Sequence, residues 1–230
     1  MTADLTSFVP QQTPLRTQVA NFLRDLILSG KLGPGERVVE RRLAKSLGVG
    51  QATVREALQV LEHQGLIFKK ANTASFVTQL SSERVAEIVE IRLDLEPKAF
   101  VLAQRRMAPA HLHELRSLQG MIEEGVAKND YYKLTSSDFA FHQKVWSIAG
   151  NQTLERILMQ LTIPLFGYLM VFLSTSDALL KDRVKSHQVL LNALRGANEE
   201  ALIQAVRDHA HNTWYRFLPK ESTGEVINRK

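Results

Sequence analysis

The stretch Glu40–Gly65, ERRLAKSLGVGQATVREALQVLEHQG, limits what this chain can fold into more than any other. Leu43, Ala44 and Leu47 form one short apolar stripe at helical spacing, Gly48 to Gly50 interrupts it, and Val54, Ala57, Leu58 and Leu61 form a second. This is the pattern of a helix-turn-helix. The second helix opens with Gln51, Thr53 and Arg55, where a recognition helix presents donors to base edges and phosphates. Two amphipathic helices joined by Gly-Val-Gly also occur as an ordinary hairpin, and this stretch by itself leaves both readings open.

The flanking residues narrow the choice. A polar, mobile arm is expected over residues 1–14, followed by a helix from about Thr17 to Leu28 with Val19, Phe22, Leu23, Leu26 and Ile27 on one face. Ser29-Gly30 ends it, and LGPGERVVE supplies a turn and a short extended piece. After Gly65, two β-prone runs, Leu66 to Lys69 and Ser75 to Thr78, flank a polar turn with Asn72 and Thr73. A preceding helix and a following hairpin make a winged helix-turn-helix over residues 15–78. Lys69 and Lys70 would then sit on the wing beside phosphate or minor groove, although plain solvation of a hairpin also accounts for a lysine pair.

Charge agrees in its placement. Residues 1–78 hold 10 Lys and Arg against 6 Asp and Glu, whereas residues 79–230 hold 19 against 18, so the basic excess travels with the helix-turn-helix. There are no cysteines, which excludes disulfides and thiolate metal sites and fits a reducing compartment. The start of the chain lacks the charged and apolar runs of a secretory signal. The longest apolar segment, Ile163 to Leu173, is too short to span a bilayer. A cytoplasmic protein without a membrane partner is expected.

From Ser81 onward the texture is helix after helix. Ser81 or Ser82 can cap a long helix through VAEIVEIRLDLEPKAFVLAQRR, in which Pro97 predicts a kink. Further helices are expected at about Pro109–Lys128, Asp130–Ala149, Gln152–Leu173, Asp177–Arg195 and Asn198–Phe217, punctuated at Asn129-Asp130, Gly150-Asn151 and Gly196. The fold class is therefore mainly α: an N-terminal winged helix-turn-helix, a linker at 79–82, an all-α bundle over 83–218 and a tail at 219–230.

Polar residues on apolar helix faces carry the chemistry of the bundle. Asp138 and His142 are four apart and so about 40° apart around one helix. His187 lies among Val184, Leu191 and Leu194, and His209 beside Leu202, Ala205 and Val206, while His211 points roughly opposite. Three imidazoles and a carboxylate directed inward could hold a divalent metal; imidazole suits zinc, nickel, copper or iron. From spacing alone, satisfied core histidines are the more frequent explanation of such a pattern.

Two groups of residues resemble known families. Leu32 to Glu36 (a Leu-x-Pro-Gly-Glu turn), Glu40-Arg41 before Leu43-Ala44, Thr53 to Leu58, Leu61 and Gly65-Leu66 resemble the GntR-type transcription regulators over residues 15 to 78. The resemblance implies that Arg41 and Arg55 hold operator DNA. Gln51 stands where Ser or Arg is frequent, and Asn72-Thr73-Ala74 stands where the wing has Gly-x-Gly. Asp138 to His142, Ala149 to Asn151, Leu154, Arg92, Leu95-Glu96, His187 and His209 resemble the FCD effector-binding domain of the FadR branch, over about 83–217. This likeness implies that Asp138, His142, His187 and His209 bind a divalent transition metal, zinc or nickel foremost, facing a ligand pocket. It places Arg92 on a pocket-lining helix, able to grip the carboxylate of a small organic-acid effector, with an ion pair to a nearby Glu as the alternative. Ser186 replaces a frequent Glu before His187.

A homodimeric, effector-controlled regulator that is not an enzyme uses both halves of the chain. A metal-dependent enzyme built on the bundle would leave the first half idle and needs a general base beyond Asp138. A bundle that only dimerises is the third reading.

Overall fold

The computed structural model describes residues 13–70, 74–173 and 177–214. The expected arm up to residue 12, the wing tip at 71–73, the end of the last helix past Trp214 and the tail at 219–230 lie outside the described residues. The chain divides into two compact units, breaking between Gln79 and Leu80, and the first also takes in Ile163–Val171, a stretch the sequence reading counts with the bundle.

The first unit begins with α1 (Leu15–Leu28), whose buried face carries Val19, Leu23, Leu26 and Ile27. Strand β1 (Arg37–Val38) leads into α2 (Glu40–Leu47) and α3 (Gln51–His63). The turn between these two helices depends on Gly48, which ends α2 at φ 66°, a left-handed conformation that costs a residue with a Cβ and not glycine. Leu43, Leu47, Val54, Leu58 and Leu61, the two apolar stripes, are all buried. Strands β2 (Ile67–Lys70) and β3 (Ala74–Val77) pair antiparallel in the register Ile67↔Val77 to Lys70↔Ala74, and β1 joins the far side of β3 through Arg37↔Phe76. Strand alternation buries Val38 and Val77 and turns Arg37 outward.

The second unit is helical among the described residues. It comprises α4 (Ser82–Gln104), α5 (Pro109–Ala127), α6 (Tyr131–Ile148), α7 (Gln152–Leu173), α8 (Asp177–Gly196) and α9 (Glu199–Trp214), with Ile163–Val171 in the second half of α7 excepted as above. Side-chain caps stand where the punctuation suggested them. Ser81 Oγ accepts from Arg84 N at 3.3 Å, Asp130 Oδ1 from Lys133 N at 2.9 Å, Asn151 Oδ1 from Leu154 N at 3.1 Å and Asn198 Oδ1 from Ala201 N at 2.8 Å. Helix α4 continues through Pro97.

Helix α4 packs on α9, α5 on α6 and α8, and α8 on α9. The α5–α6 approach is close because Gly125 has no side chain: a Cβ there would stand 2.7 Å from Leu134 N. Phe100, Leu115, Ile122, Phe141, Trp146, Leu190, Leu202 and Trp214 fill the interior. Into this apolar core the same helices also send Arg92, Glu96, Asp138, His142, Arg183, His187 and His209. Such groups are tolerated there only when paired or when they serve a ligand.

Candidate functional site

The first unit brings four of its basic residues, Arg37, Arg41, Arg55 and Lys69, together at one cleft of the helix-turn-helix. A cleft of about 560 Å³ is lined by Arg37, Glu40, Arg41, Gln51, Arg55 and Lys69 with short strand residues between them. Arg41, Gln51, Arg55, Lys69 and Lys70 are exposed and Thr53 is half-buried; Thr53 and Lys70 are not in the cleft lining. Two contacts organise these side chains. Arg55 donates through both Nε and Nη2 to Glu40 Oε2, at 3.1 and 3.0 Å, and Lys69 Nζ lies 3.2 Å from Glu62 Oε2. Sequence reasoning passed over Arg37, though alternation opposite the buried Val38 could have marked it as outward-facing.

In the second unit Asp138, His142, His187 and His209 come together, with one potential ligand atom from each lying within 4.8 Å of the others. Helix α6 supplies Asp138 and His142 one turn apart, α8 supplies His187 and α9 supplies His209. The three ring centroids lie 4.6 to 5.3 Å apart. His211, two residues on, is exposed, as the helical wheel requires.

The partners of two of the rings place the Nδ1 protons. His187 Nδ1 lies 2.9 Å from the carbonyl oxygen of Arg183, which can only accept, so Nδ1 carries the hydrogen. In the neutral ring Nε2 is then a lone pair, and it faces Asp138 Oδ1 at 2.6 Å. His142 Nδ1 lies 2.8 Å from Glu96 Oε1, again an acceptor, so its Nε2 is also a lone pair and meets His209 Nε2 at 3.1 Å. Electron pairs thus converge on one small region in the core. A proton or a cation must lie among them, and the donor set of three imidazoles and one carboxylate suits a divalent transition metal.

Charge reinforces the geometry. Burial alone would raise the Asp138 carboxyl, but Arg183 and His187 beside it hold it well below the usual carboxylate range. Burial likewise opposes ionisation of Glu96, and Arg92 and His142 overcome it, bringing it down to about 2. His209 is pushed well below the ordinary imidazole value, foremost by burial, which keeps it in the neutral form that ligates.

Two residues complete the arrangement. Arg183 Nη1 lies 2.7 Å from Asp138 Oδ2, leaving Oδ1 for the cluster, so Arg183 orients Asp138 with its side chain and His187 with its carbonyl. Sequence reasoning missed Arg183; one turn before His187 on α8, it reads as an ordinary surface charge. Glu96 was noticed only as part of a motif. Its i,i+4 spacing from Arg92 was the available signal, and the structure makes that pair at 2.7 Å, fully inside the core. Arg92 Nε and Nη1 have no hydrogen-bond partner among the described residues, and the guanidinium carbon lies 5.7 Å from the centre of the Trp214 ring.

The proteins this chain is similar to are named as regulators. Residues 15–77 match the family described as bacterial regulatory proteins, gntR family, and residues 87–212 match the FCD domain. The chain is 30% identical to a probable D-xylose utilization operon transcriptional repressor of Paenarthrobacter nicotinovorans, with 90% of each chain covered. It is 29% identical to the uncharacterized HTH-type transcriptional regulator YdhC of Bacillus subtilis, covering 86% of this chain and 88% of that one. Among solved structures, E. coli McbR/YncC shares the fold at a TM-score of 0.79 and 24% identity, over 90% of this chain and 99% of that one. With a winged helix-turn-helix before an all-helical FCD domain, and with relatives named as transcription regulators rather than enzymes, this chain belongs to the GntR family of bacterial DNA-binding transcription regulators.

Proposed function

We propose that the chain is a cytoplasmic, homodimeric regulator of the FadR branch, in which residues 15–78 bind operator DNA and residues 83–218 bind a small carboxylate effector at a divalent metal. Asp138, His142, His187 and His209 would hold the metal, zinc or nickel foremost. The observation that carries this is the meeting of lone pairs: the Arg183 carbonyl and the Glu96 carboxylate fix two imidazoles with their bare nitrogens turned inward, toward Asp138 Oδ1 and His209 Nε2. In the neutral ring His187 Nε2 in particular faces an acceptor and not a donor. When bound, the metal supplies open coordination positions suited to a carboxylate oxygen.

Around that centre the chain's own residues set orientation. Arg92, through Glu96, holds His142, while its Nε and Nη1 remain available to an anion. This arrangement supports both readings of Arg92 at once, an ion pair with one edge and effector contact with the other. On the first unit, Arg41, Gln51, Thr53 and Arg55 would meet the major groove, and Lys69 and Lys70 the adjoining backbone. One recognition helix reads only a few base pairs, so a dimer on a pseudo-palindrome is needed for useful specificity.

Metal analysis of the purified protein, with binding to a duplex selected from a random library in the presence and absence of a panel of di- and monocarboxylates, tests the reading. Stoichiometric metal and an acid-dependent change in DNA affinity are expected. Metal-free protein whose DNA binding ignores every acid would leave the bundle a dimerisation unit.

A further inference from the structure

Glu40 is an anion on a surface that must receive a polyanion. It lies in the cleft with Arg37, Arg41, Arg55 and Lys69, where Coulomb's law alone would favour its absence. Its carboxylate oxygen Oε2 accepts from both Nε and Nη2 of Arg55, at 3.1 and 3.0 Å. The side-on edge of the guanidinium is therefore occupied. Both hydrogens of Nη1 and the second of Nη2 remain; one from each nitrogen makes the end-on edge, the parallel pair of donors that matches two adjacent acceptors such as O6 and N7 of guanine.

From this geometry we infer that Glu40 is a positioning residue for sequence readout: it locks Arg55 so that its end-on edge is presented to a guanine in the major groove. The inference rests on the reading of α3 as the recognition helix. A free arginine has several rotatable bonds and must be ordered on binding; one already held by a carboxylate one helix away has less freedom to lose. Being about 58% exposed, the Arg55 side chain is fixed without being hidden from DNA.

The competing explanation is helix chemistry. Glu40 is in the first turn of α2, where a carboxylate interacts favourably with the helix dipole. The two explanations separate in solution. A duplex is selected from a randomised library with the wild-type full-length chain, and affinities for it and for a scrambled duplex of the same composition are measured for Glu40→Ala, Glu40→Gln, Arg55→Ala and the double variant Glu40→Ala with Arg55→Ala. A bidentate arginine–guanine contact discriminates by about 5- to 150-fold. Glu40→Ala is expected to lose about 5-fold or more on the selected duplex and to bind the scrambled one as well as wild type or better, because a negative charge has gone. Glu40→Gln, which keeps the acceptor oxygen, is expected to fall between, and Glu40→Ala is expected to add no further loss of discrimination to Arg55→Ala.

Equal or tighter binding of both duplexes by Glu40→Ala, with discrimination intact, would overturn the inference and leave Glu40 a dipole partner, detectable as a lowered melting temperature alone. Arg55→Ala that loses affinity evenly on both duplexes would make Arg55 a phosphate contact and remove the premise instead. The two failures are thus distinguishable, and melting of each variant shows whether it is folded.

Discussion

Arginine–carboxylate pairs occur in both units, and they do opposite things. Arg55–Glu40 is a 3.0 Å pair with side chains 58% and 29% exposed, whereas Arg183–Asp138 is a 2.7 Å pair with side chains 6% and 3% exposed. In water the attraction is screened and the pair adds little stability, so it can orient the Arg55 side chain while leaving it exposed. In the core each charge has lost its hydration, so neither partner can leave without stranding the other. The helix-turn-helix surface is thus built from interactions that are individually weak, and the buried His–carboxylate cluster from interactions that cannot be undone singly.

The sharpest test of that contrast removes one carboxylate from each region in metal-free protein. Asp138→Ala leaves Arg183 buried and unpaired, a change expected to cost about 3–5 kcal/mol of stability. Glu40→Ala leaves Arg55 in water and is expected to cost about 0–1 kcal/mol. Urea unfolding of the two variants measures both. Similar losses would mean that the bundle core admits enough water to solvate Arg183.

The next effect is that of the proposed metal. A ligand that binds only the folded state at 100 times its dissociation constant stabilises by about 2.7 kcal/mol. Chelation is therefore expected to lower the melting temperature of wild type and to leave His187→Ala with His209→Ala unchanged, since half the donors are gone. His211→Ala, outside the cluster, should respond to the chelator like wild type. Acid should act in the same direction. His209 sits well below 6.5 in the fold, so below that pH the unfolded chain takes up a proton that the folded one refuses, and stability falls. The depressed Asp138 and Glu96 add a second loss: their contribution is complete above about 4.5 and fades as pH drops toward the folded value of Glu96, about 2. Melting of chelator-treated protein from pH 8 down to pH 3 should show both stages.

The same contrast explains what could be read from the sequence. Gly48 between two apolar stripes, and caps at Ser81, Asp130, Asn151 and Asn198, are local signals, and the elements follow them to within a few residues. Asp138 and His142 were legible because helical periodicity puts polar groups on a face that must be buried. Arg183 was not, because an arginine on α8 looks the same whether it faces water or an aspartate on α6; only the packing of two distant segments decides. Strand β1 is two residues long, too short for a periodic pattern, and read only as an extended piece.

On the DNA face the losses should be smaller and should appear as affinity, not stability. Arg41→Ala and Arg55→Ala are each expected to weaken binding to a selected duplex by about 1–3 kcal/mol with little change in melting. Titration of labelled duplex measures it. A variant that loses affinity only through a lowered melting temperature would place that arginine among the structural residues and blur the distinction between the two regions.

The smallest effect separates the two wing lysines. Lys69 is held 3.2 Å from Glu62, so reaching a phosphate means giving up one anion for another. For Lys70 no ion pair is seen among the described residues, and it lies at the exposed end of β2. Each phosphate neutralised releases condensed counterion and steepens the dependence of log K on log salt by about 0.9. Lys70→Ala is therefore expected to flatten that slope by nearly this amount, with an equal loss on selected and scrambled duplexes because phosphates carry no sequence. Lys69→Ala removes a cation but also frees Glu62 to repel the backbone, so its slope should change less while its affinity falls at every salt concentration. Binding isotherms between 50 and 300 mM salt on both duplexes give the slopes. Two unchanged slopes would take the wing off the DNA backbone and leave the helix-turn-helix to bind alone.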